Sequence, residues 1–115
     1  MAVMETWFDQ DLSEPVKLRT MTGVMFRQDS LGNLIGVRIT KDGEDVTLAG
    51  TVTGYVIKPD GTTVTVSGTR SGNTAYIILP ATAYTVAGPV TITIKLTEGN
   101  EILTLLALQG YIQAA

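Results

Sequence analysis

The side chains used most often for catalysis and metal binding are missing from this chain, whose 115 residues include no histidine and no cysteine. Their absence excludes the usual nucleophile–base pairs, most transition-metal sites and all disulfide bonds. Any acid–base or metal chemistry must therefore rest on carboxylates.

Two groups of carboxylates have a spacing that could carry such chemistry. Asp9 and Asp11 share one face if their segment is extended, and such a pair could raise one carboxyl pKa or bind Ca²⁺. Residues 42–45 resemble a piece of a Ca²⁺ loop but lack its Asp-x-Asp-x-Asp-Gly spacing and its distal Glu. A solvated segment and an ordinary hairpin turn are the better interpretations. The sequence thus predicts no catalytic residue, no metal site and no cofactor.

Several aromatic side chains could form a platform that binds a sugar. They are Trp7, Tyr55, Tyr76, Tyr84 and Tyr111. They are scattered along the chain, so packing in the core or at its rim is the better interpretation of each.

The elements that must position these side chains are β-strands, and residues 51–113 form one uninterrupted β-meander in this interpretation. Segments rich in Val, Ile, Thr and Tyr alternate with turns containing Gly, Pro, Asp and Asn. The predicted strands are residues 51–57, 62–67, 73–79, 90–97 and 102–113. Short strands at near-regular spacing indicate a sandwich or a barrel. A weak helical signal predicts one short helical turn near residues 80–86.

The N-terminal segment, residues 1–14, is predicted to be an extended arm that precedes a β-sandwich domain of residues 15–115. Trp7 and Phe8 lie on this arm and are too apolar to be left in water without a reason. They either cover an open end of the domain or dock on a neighbouring subunit.

A hairpin is predicted between residues 24–26 and residues 34–40, because the segment between them is rich in turn residues. In its second strand, alternation indicates that Ile35, Val37 and Ile39 face the core.

The last predicted strand differs from the others because residues 102–108 show almost no alternation. A continuous apolar run of this length is typical of a strand buried on both faces. Leu105 or Leu106, or both, should lie buried, and the outer face should be covered by another subunit, by the arm or by a helical tail. The candidate interface residues are Trp7, Phe8, Leu103, Leu105, Leu106, Leu108 and Tyr111.

Composition bounds the remaining possibilities. Hydrophobic residues make up 44% of the chain and charged residues 17%, with a net charge of −3. The low charge is explained equally well by a surface that a partner partly covers and by a well-filled core. No cluster of Lys or Arg predicts a nucleic-acid site, no apolar run reaches a membrane span, and the N-terminus lacks a signal-peptide pattern.

Several segments resemble the N-terminal domain of phage baseplate upper proteins, found in tailed phages and prophages of low-GC Gram-positive bacteria. They are Thr6-Trp7-Phe8-Asp9-Gln10-Asp11-Leu12, Gly32-Asn33-Leu34-Ile35-Gly36-Val37, Ile57-Lys58-Pro59-Asp60-Gly61-Thr62 and Leu79-Pro80-Ala81-Thr82-Ala83-Tyr84-Thr85-Val86-Ala87-Gly88. The resemblance implies an all-β fold, an immunoglobulin-like antiparallel β-sandwich, that anchors a larger oligomeric tail component to the virion.

The function expected from these observations is that of a non-enzymatic structural module of the virion, in the tail or baseplate. It would self-associate as a homo-oligomer, with a trimer as the favoured state, and dock to another phage structural protein, with no nucleic acid and no membrane as partners. It would act in virions assembled in the bacterial host cytoplasm. The alternatives are a capsid decoration or head-fibre base domain, and a carbohydrate-binding β-sandwich module.

Overall fold

The computed structural model describes residues 5–20, 26–27 and 33–113. Within these residues two β-sheets pack face to face, and one 3₁₀ turn, Ala81–Tyr84, lies between β-strands. The all-β sandwich and its short helical turn near residues 80–86 are thereby confirmed. The strands are β1 Glu5–Asp11, β2 Leu18–Thr20, β3 Phe26–Arg27, β4 Leu34–Lys41, β5 Glu44–Asp45, β6 Thr51–Ile57, β7 Thr63–Ser67, β8 Thr69–Ser71, β9 Thr74–Ile78, β10 Gly88–Glu98 and β11 Glu101–Gln113.

The five-stranded sheet has the order β1-β4-β9-β8, with β5 paired to the end of β4. The six-stranded sheet has the order β2-β11-β10-β6-β7, with β3 also paired to β11. An antiparallel sandwich was expected, but three strand pairs are parallel. Strand β1 pairs in parallel with β4, and both β2 and β3 pair in parallel with β11. Parallel neighbours require a crossover, and the chain makes one when it leaves β1 for the opposite sheet before returning as β4.

The predicted meander over residues 51–113 is corrected, because the chain changes sheets twice. The β6–β7 hairpin belongs to the six-stranded sheet, the β8–β9 hairpin to the five-stranded sheet, and β10–β11 to the six-stranded sheet again. Gly68 makes the first crossing, and a Cβ there would lie 2.5 Å from a methyl carbon of Val52. A bulkier residue would therefore block the tight passage from one sheet to the other.

The predicted hairpin between residues 24–26 and 34–40 is also corrected. Phe26–Arg27 pairs with Ile112 and Gln113 in the six-stranded sheet, whereas β4 pairs with β1, β5 and β9. The connecting turn and residues 21–25 lie outside the described residues. Short strands carry too little alternation to reveal which sheet they join.

The core fills the space between the inner faces of the two sheets. As predicted, Ile35, Val37 and Ile39 of β4 are fully buried there, and alternate residues of β6, β9, β10 and β11 complete it. Burying each such aliphatic side chain stabilises the fold by roughly 1.5–3 kcal/mol. The two sheets therefore share one hydrophobic core.

The segment predicted as an arm is extended, but residues 5–11 of it run as an edge strand of the five-stranded sheet. Glu5 to Asp11 pair residue by residue with Leu34 to Thr40 of β4. Within the described residues, this part of the arm is continuous with the sandwich.

Candidate functional site

Trp7 lies on the outer face of the five-stranded sheet. It is opposite Gly36 in the neighbouring strand, and Tyr76 is opposite Gly36 on the other side. A side chain at Gly36 would collide with the indole, so the glycine makes room for the ring. The indole and phenol rings meet edge to face, with their centroids 6.2 Å apart.

Two charged side chains complete this cluster, which we call the Trp7 cluster (Glu5, Trp7, Gly36, Arg38 and Tyr76). The Arg38 guanidinium lies 4.9 Å from the centroid of the indole, within cation–π range. The indole N–H donates to Glu5 Oε1 at 3.0 Å. Two of the aromatic residues considered as a sugar platform are thus brought together, but the cluster already uses the polar edge of Trp7.

Phe8 points the other way, toward the core. It packs against the buried cluster, and the Arg19 guanidinium lies 5.6 Å from its ring centroid. Trp7 and Phe8 were expected to cover an open end of the domain, or to dock on a neighbouring subunit or on the outer face of the last strand. Each packs within its own chain at the β1 edge, and the two rings lie on opposite sides of the sheet because successive side chains of a strand alternate.

Tyr55 and Tyr111 lie on the other sheet, away from the Trp7 cluster. The amine of Lys95 lies 5.4 Å from the centroid of the Tyr55 ring, and Tyr111 is exposed. The side chain of Tyr84 lies outside the described residues. The four described candidates therefore lie on two different sheets and form no shared aromatic platform.

Asp11 ties the end of β1 to the turn after β4. Its carboxylate accepts hydrogen bonds from the Ser13 hydroxyl and N–H, from Thr40 Oγ1, and from the N–H groups of Asp42 and Gly43. These donors, with the Ser13 hydroxyl first, hold the pKa of Asp11 far below its ordinary range. A carboxylate kept ionised in this way is a structural acceptor and a poor general acid.

The turn that Asp11 binds is the hairpin turn predicted at residues 42–45. Asp42 and Gly43 both have positive φ, 53° and 83°, as a tight two-residue hairpin turn requires. Asp9 forms an exposed ion pair with Arg38 at 3.9 Å. Among the described residues, no three acidic side chains gather in a way that could hold a metal ion.

A surface cavity of about 490 Å³ lies where the chain passes from β1 to β2. It is lined by Gln10, Glu14, Pro15, Lys17 and Arg19. The Gln10 amide donates to the carbonyls of Asp11 and Glu14, at 3.0 and 3.3 Å, and Arg19 donates to Gln10 Oε1 at 3.1 Å. These hydrogen bonds hold the segment that connects β1 in one sheet to β2 in the other.

A β-bulge explains why residues 102–108 do not alternate. Ile94 of β10 faces Leu106, but the next residue, Lys95, faces Thr104, so Leu105 is the extra residue in β11. The bulge turns both Leu105 and Leu106 toward the core, where each is 0% exposed. The predicted burial is confirmed, but the inference that this strand is buried on both faces is wrong.

The leucines proposed as interface residues therefore divide into two groups. Leu105, Leu106 and Leu108 fill the core of their own chain and present no surface to a partner, which corrects their assignment. Leu103 and Tyr111 are 43% and 49% exposed and remain accessible.

Four strands of the six-stranded sheet, β6, β7, β10 and β11, have an almost uncharged outer face. We call the outward residues of β6, β7, β10 and β11 the threonine-rich face. They are Thr51, Thr53, Tyr55, Ile57, Thr63, Thr65, Ser67, Pro89, Thr91, Thr93, Lys95, Thr97, Ile102, Thr104, Ala107, Gln109 and Tyr111. Lys95 is the one charged side chain among them, and Ile57 and Ile102 are exposed.

The sequence reasoning did not single out this face, although its signal was visible. Threonine fills most of the alternate positions of β6, β7 and β10 on the side opposite the buried aliphatic residues, namely residues 51, 53, 63, 65, 91, 93 and 97. It also missed Gly36 and Arg38, whose role appears only once β1 is paired with β4. A glycine inside a strand rich in β-branched residues was the available clue.

A scan against models of known protein families finds no match, and a search of curated proteins finds no similar sequence. The family resemblance therefore rests on the sequence segments quoted above.

In the part of the chain that the structure describes, no helix is long and apolar enough to cross a lipid bilayer.

Proposed function

We propose that this domain is a structural, non-enzymatic module of a phage virion, in the tail or baseplate, that self-associates and docks to another virion protein. The observation that carries the proposal is the threonine-rich face, a broad sheet surface on which Lys95 is the one charged residue. Charge is depleted at the buried centres of protein–protein interfaces. A face of this composition is suited to being covered by another protein.

Exposed apolar side chains at the margins of the same face add to this support. Leu18 of β2, which pairs with Ala107, is 59% exposed, and Ile102 is 68% exposed. Large apolar groups on a surface mark sites of interaction when they lie together with other neutral residues. The face and its margins offer area to a partner with Lys95 as the one charge of the face to be desolvated.

The assignment to a virion rests on the resemblance to baseplate upper proteins. Two of the segments that carry it lie at connections of the fold: residues 57–62 span the end of β6 and its turn to β7, and residues 79–88 contain the 3₁₀ turn that leads into β10. The resemblance favours a homo-oligomer, with a trimer as the expected state. The proposed location is the virion, assembled in the host cytoplasm.

Antibody labelling of phage particles that carry this gene tests the assignment. Label at the tail tip supports a baseplate module, whereas label on the capsid supports a decoration or head-fibre base domain instead. Particles that lack the protein altogether contradict both versions of the proposal. The genes flanking its own gene provide an independent check of tail against head.

Carbohydrate binding is the second candidate, and the contact between Trp7 and Tyr76 is the observation that favours it. Sugar-binding sites commonly present an aromatic face together with polar groups. Here Arg38 lies over the indole and Glu5 accepts its N–H, so these groups serve packing within the sheet. Isothermal titration with cell-wall glycans should give no binding heat. A heat that disappears in Trp7→Ala, with the fold intact, would favour the carbohydrate-binding module.

A further inference from the structure

The outer edge of the six-stranded sheet, strand β7, has features of a surface that pairs with a copy of itself. It lies at the end of its sheet, and β6 is its one strand partner among the described residues. Its five residues, Thr63–Ser67, contain no charge and no proline, and no bulge interrupts their pairing with β6. Natural proteins protect exposed edges with charged residues, prolines and bulges. An edge that lacks all three is suited to pairing with a further strand.

The other edges of the two sheets are protected. Strand β1 carries Glu5, Asp9 and Asp11, and Arg70 lies at the centre of the three-residue β8. Strands β2 and β3 are three and two residues long. Strand β7 is therefore the neutral, regular edge in the part of the chain that the structure describes.

The pairing with β6 fixes which backbone groups of β7 are free. Lys58 N donates to Thr62 O at 2.8 Å, and Gly68 N donates to Val52 O at 2.9 Å. Hydrogen-bonded pairs alternate along an antiparallel ladder, so the even-numbered residues of β7 bond to β6. The N–H and C=O groups of Thr63, Thr65 and Ser67 consequently point away from β6, toward the open edge.

We propose that β7 pairs antiparallel with β7 of a second copy, about a two-fold axis through Thr65. This inference rests on the self-association proposed above, but it names the edge of β7 as the surface and a two-fold dimer, in place of the trimer, as the state. In this register Thr65 faces Thr65 of the second copy, and Thr63 faces Ser67. All three residues with free backbone groups then form hydrogen-bonded pairs, and each pair exchanges two hydrogen bonds.

The side chains match in the same register. On the outer face, threonine lies opposite threonine or serine, a combination that stabilises cross-strand pairs. On the inner face Val64 lies opposite Val66, and both are half-buried in a single chain. Because pairing covers these two valines, it extends the core across the interface. The sequence Thr-Val-Thr-Val-Ser is nearly the same in both directions, so the strand is complementary to an antiparallel copy of itself, as a two-fold contact requires.

Cysteine cross-linking tests the pairing directly, because the parent chain contains no cysteine. Residues that form a hydrogen-bonded antiparallel pair have Cα atoms about 5.5 Å apart, within the range that a disulfide spans. Thr65→Cys should convert under mild oxidation to a disulfide-linked dimer on a non-reducing gel. Thr51→Cys is the matched control, an exposed threonine on the same face that lies on β6 and away from the axis. It should remain uncross-linked.

Charge exchange at the same position provides the second test. Thr65→Lys and Thr65→Glu each place two like charges opposite one another and should raise the dimer dissociation constant roughly three- to tenfold at low salt. An equimolar mixture of the two variants should restore association. Thr93→Glu, a charge at the centre of the threonine-rich face, should leave the dimer intact.

The outcomes separate this inference from the proposed function. A mass of twice 12.2 kDa with efficient Thr65→Cys cross-linking supports the two-fold pair. A mass of three times 12.2 kDa, or a dimer that Thr93→Glu dissociates and Thr65→Glu does not, overturns the β7 pairing but leaves self-association standing. A monomer at every concentration overturns both.

Discussion

Replacing Leu106 by alanine tests the bulge and the core that it creates. Leu106 is 0% exposed and lies opposite Ile94, near the middle of the long β10–β11 pair. The substitution removes three buried carbon groups, which at about 0.8 kcal/mol each amounts to roughly 2.4 kcal/mol of transfer free energy. The cavity that remains adds to this loss, so we expect the free energy of unfolding to fall by about 3–4 kcal/mol.

Leu103→Ala is the matched control, because it makes the same substitution in the same strand at a side chain that is 43% exposed. Its cost should stay below about 1 kcal/mol, since little transfer free energy is lost and no closed cavity forms. Urea unfolding followed by circular dichroism measures both. With a slope of about 1.5 kcal/mol/M, the midpoint of Leu106→Ala should fall by about 2 M. Equal midpoints for the two variants would refute the assignment of Leu106 to the core.

Two further predictions concern the β1 edge. Asp11 has a pKa lowered by its hydrogen bonds, so the stability it contributes is present above its unfolded pKa, near 3.8, and is lost as the pH falls toward its folded value. Asp11→Asn should therefore unfold at a lower urea concentration than the parent at pH 7, and it should lose less stability than the parent between pH 4 and pH 2. Profiles of unfolding free energy against pH that run parallel for the two proteins would contradict this. Gly36→Val should displace the Trp7 ring, red-shift its fluorescence and destabilise the fold, and a Trp7→Ala background should relieve most of that cost in a double-mutant cycle. If the cost is the same in both backgrounds, the ring does not lie over Gly36.

The strands with long, alternating patterns were predictable from the sequence. Residues 51–57 match β6, and the predicted burial of Ile35, Val37 and Ile39 is correct. In these strands one face packs on an aliphatic core and the other faces solvent, so apolar and polar residues alternate with a period of two. Alternation is a local signal and needs no knowledge of the partner strand.

The features that were not predicted depend on pairing between distant segments. The bulge at Leu105 is defined by the register of β11 against β10. It buries two adjacent leucines, which gives the sequence the same pattern as a strand covered on both faces. The Trp7 cluster depends on the parallel pairing of β1 with β4, which a local pattern does not encode. The strands β2, β3, β5 and β8 have two or three residues each, too few to show any period.

Multi-angle light scattering on the purified chain tests the central claim, self-association of a building block, most directly. The mass should be a multiple of 12.2 kDa at a loading of tens of micromolar and should fall on dilution. The pairing of β7 predicts twice that value, and the resemblance to baseplate proteins favours three times. A constant mass of 12.2 kDa across the whole concentration series would contradict the account.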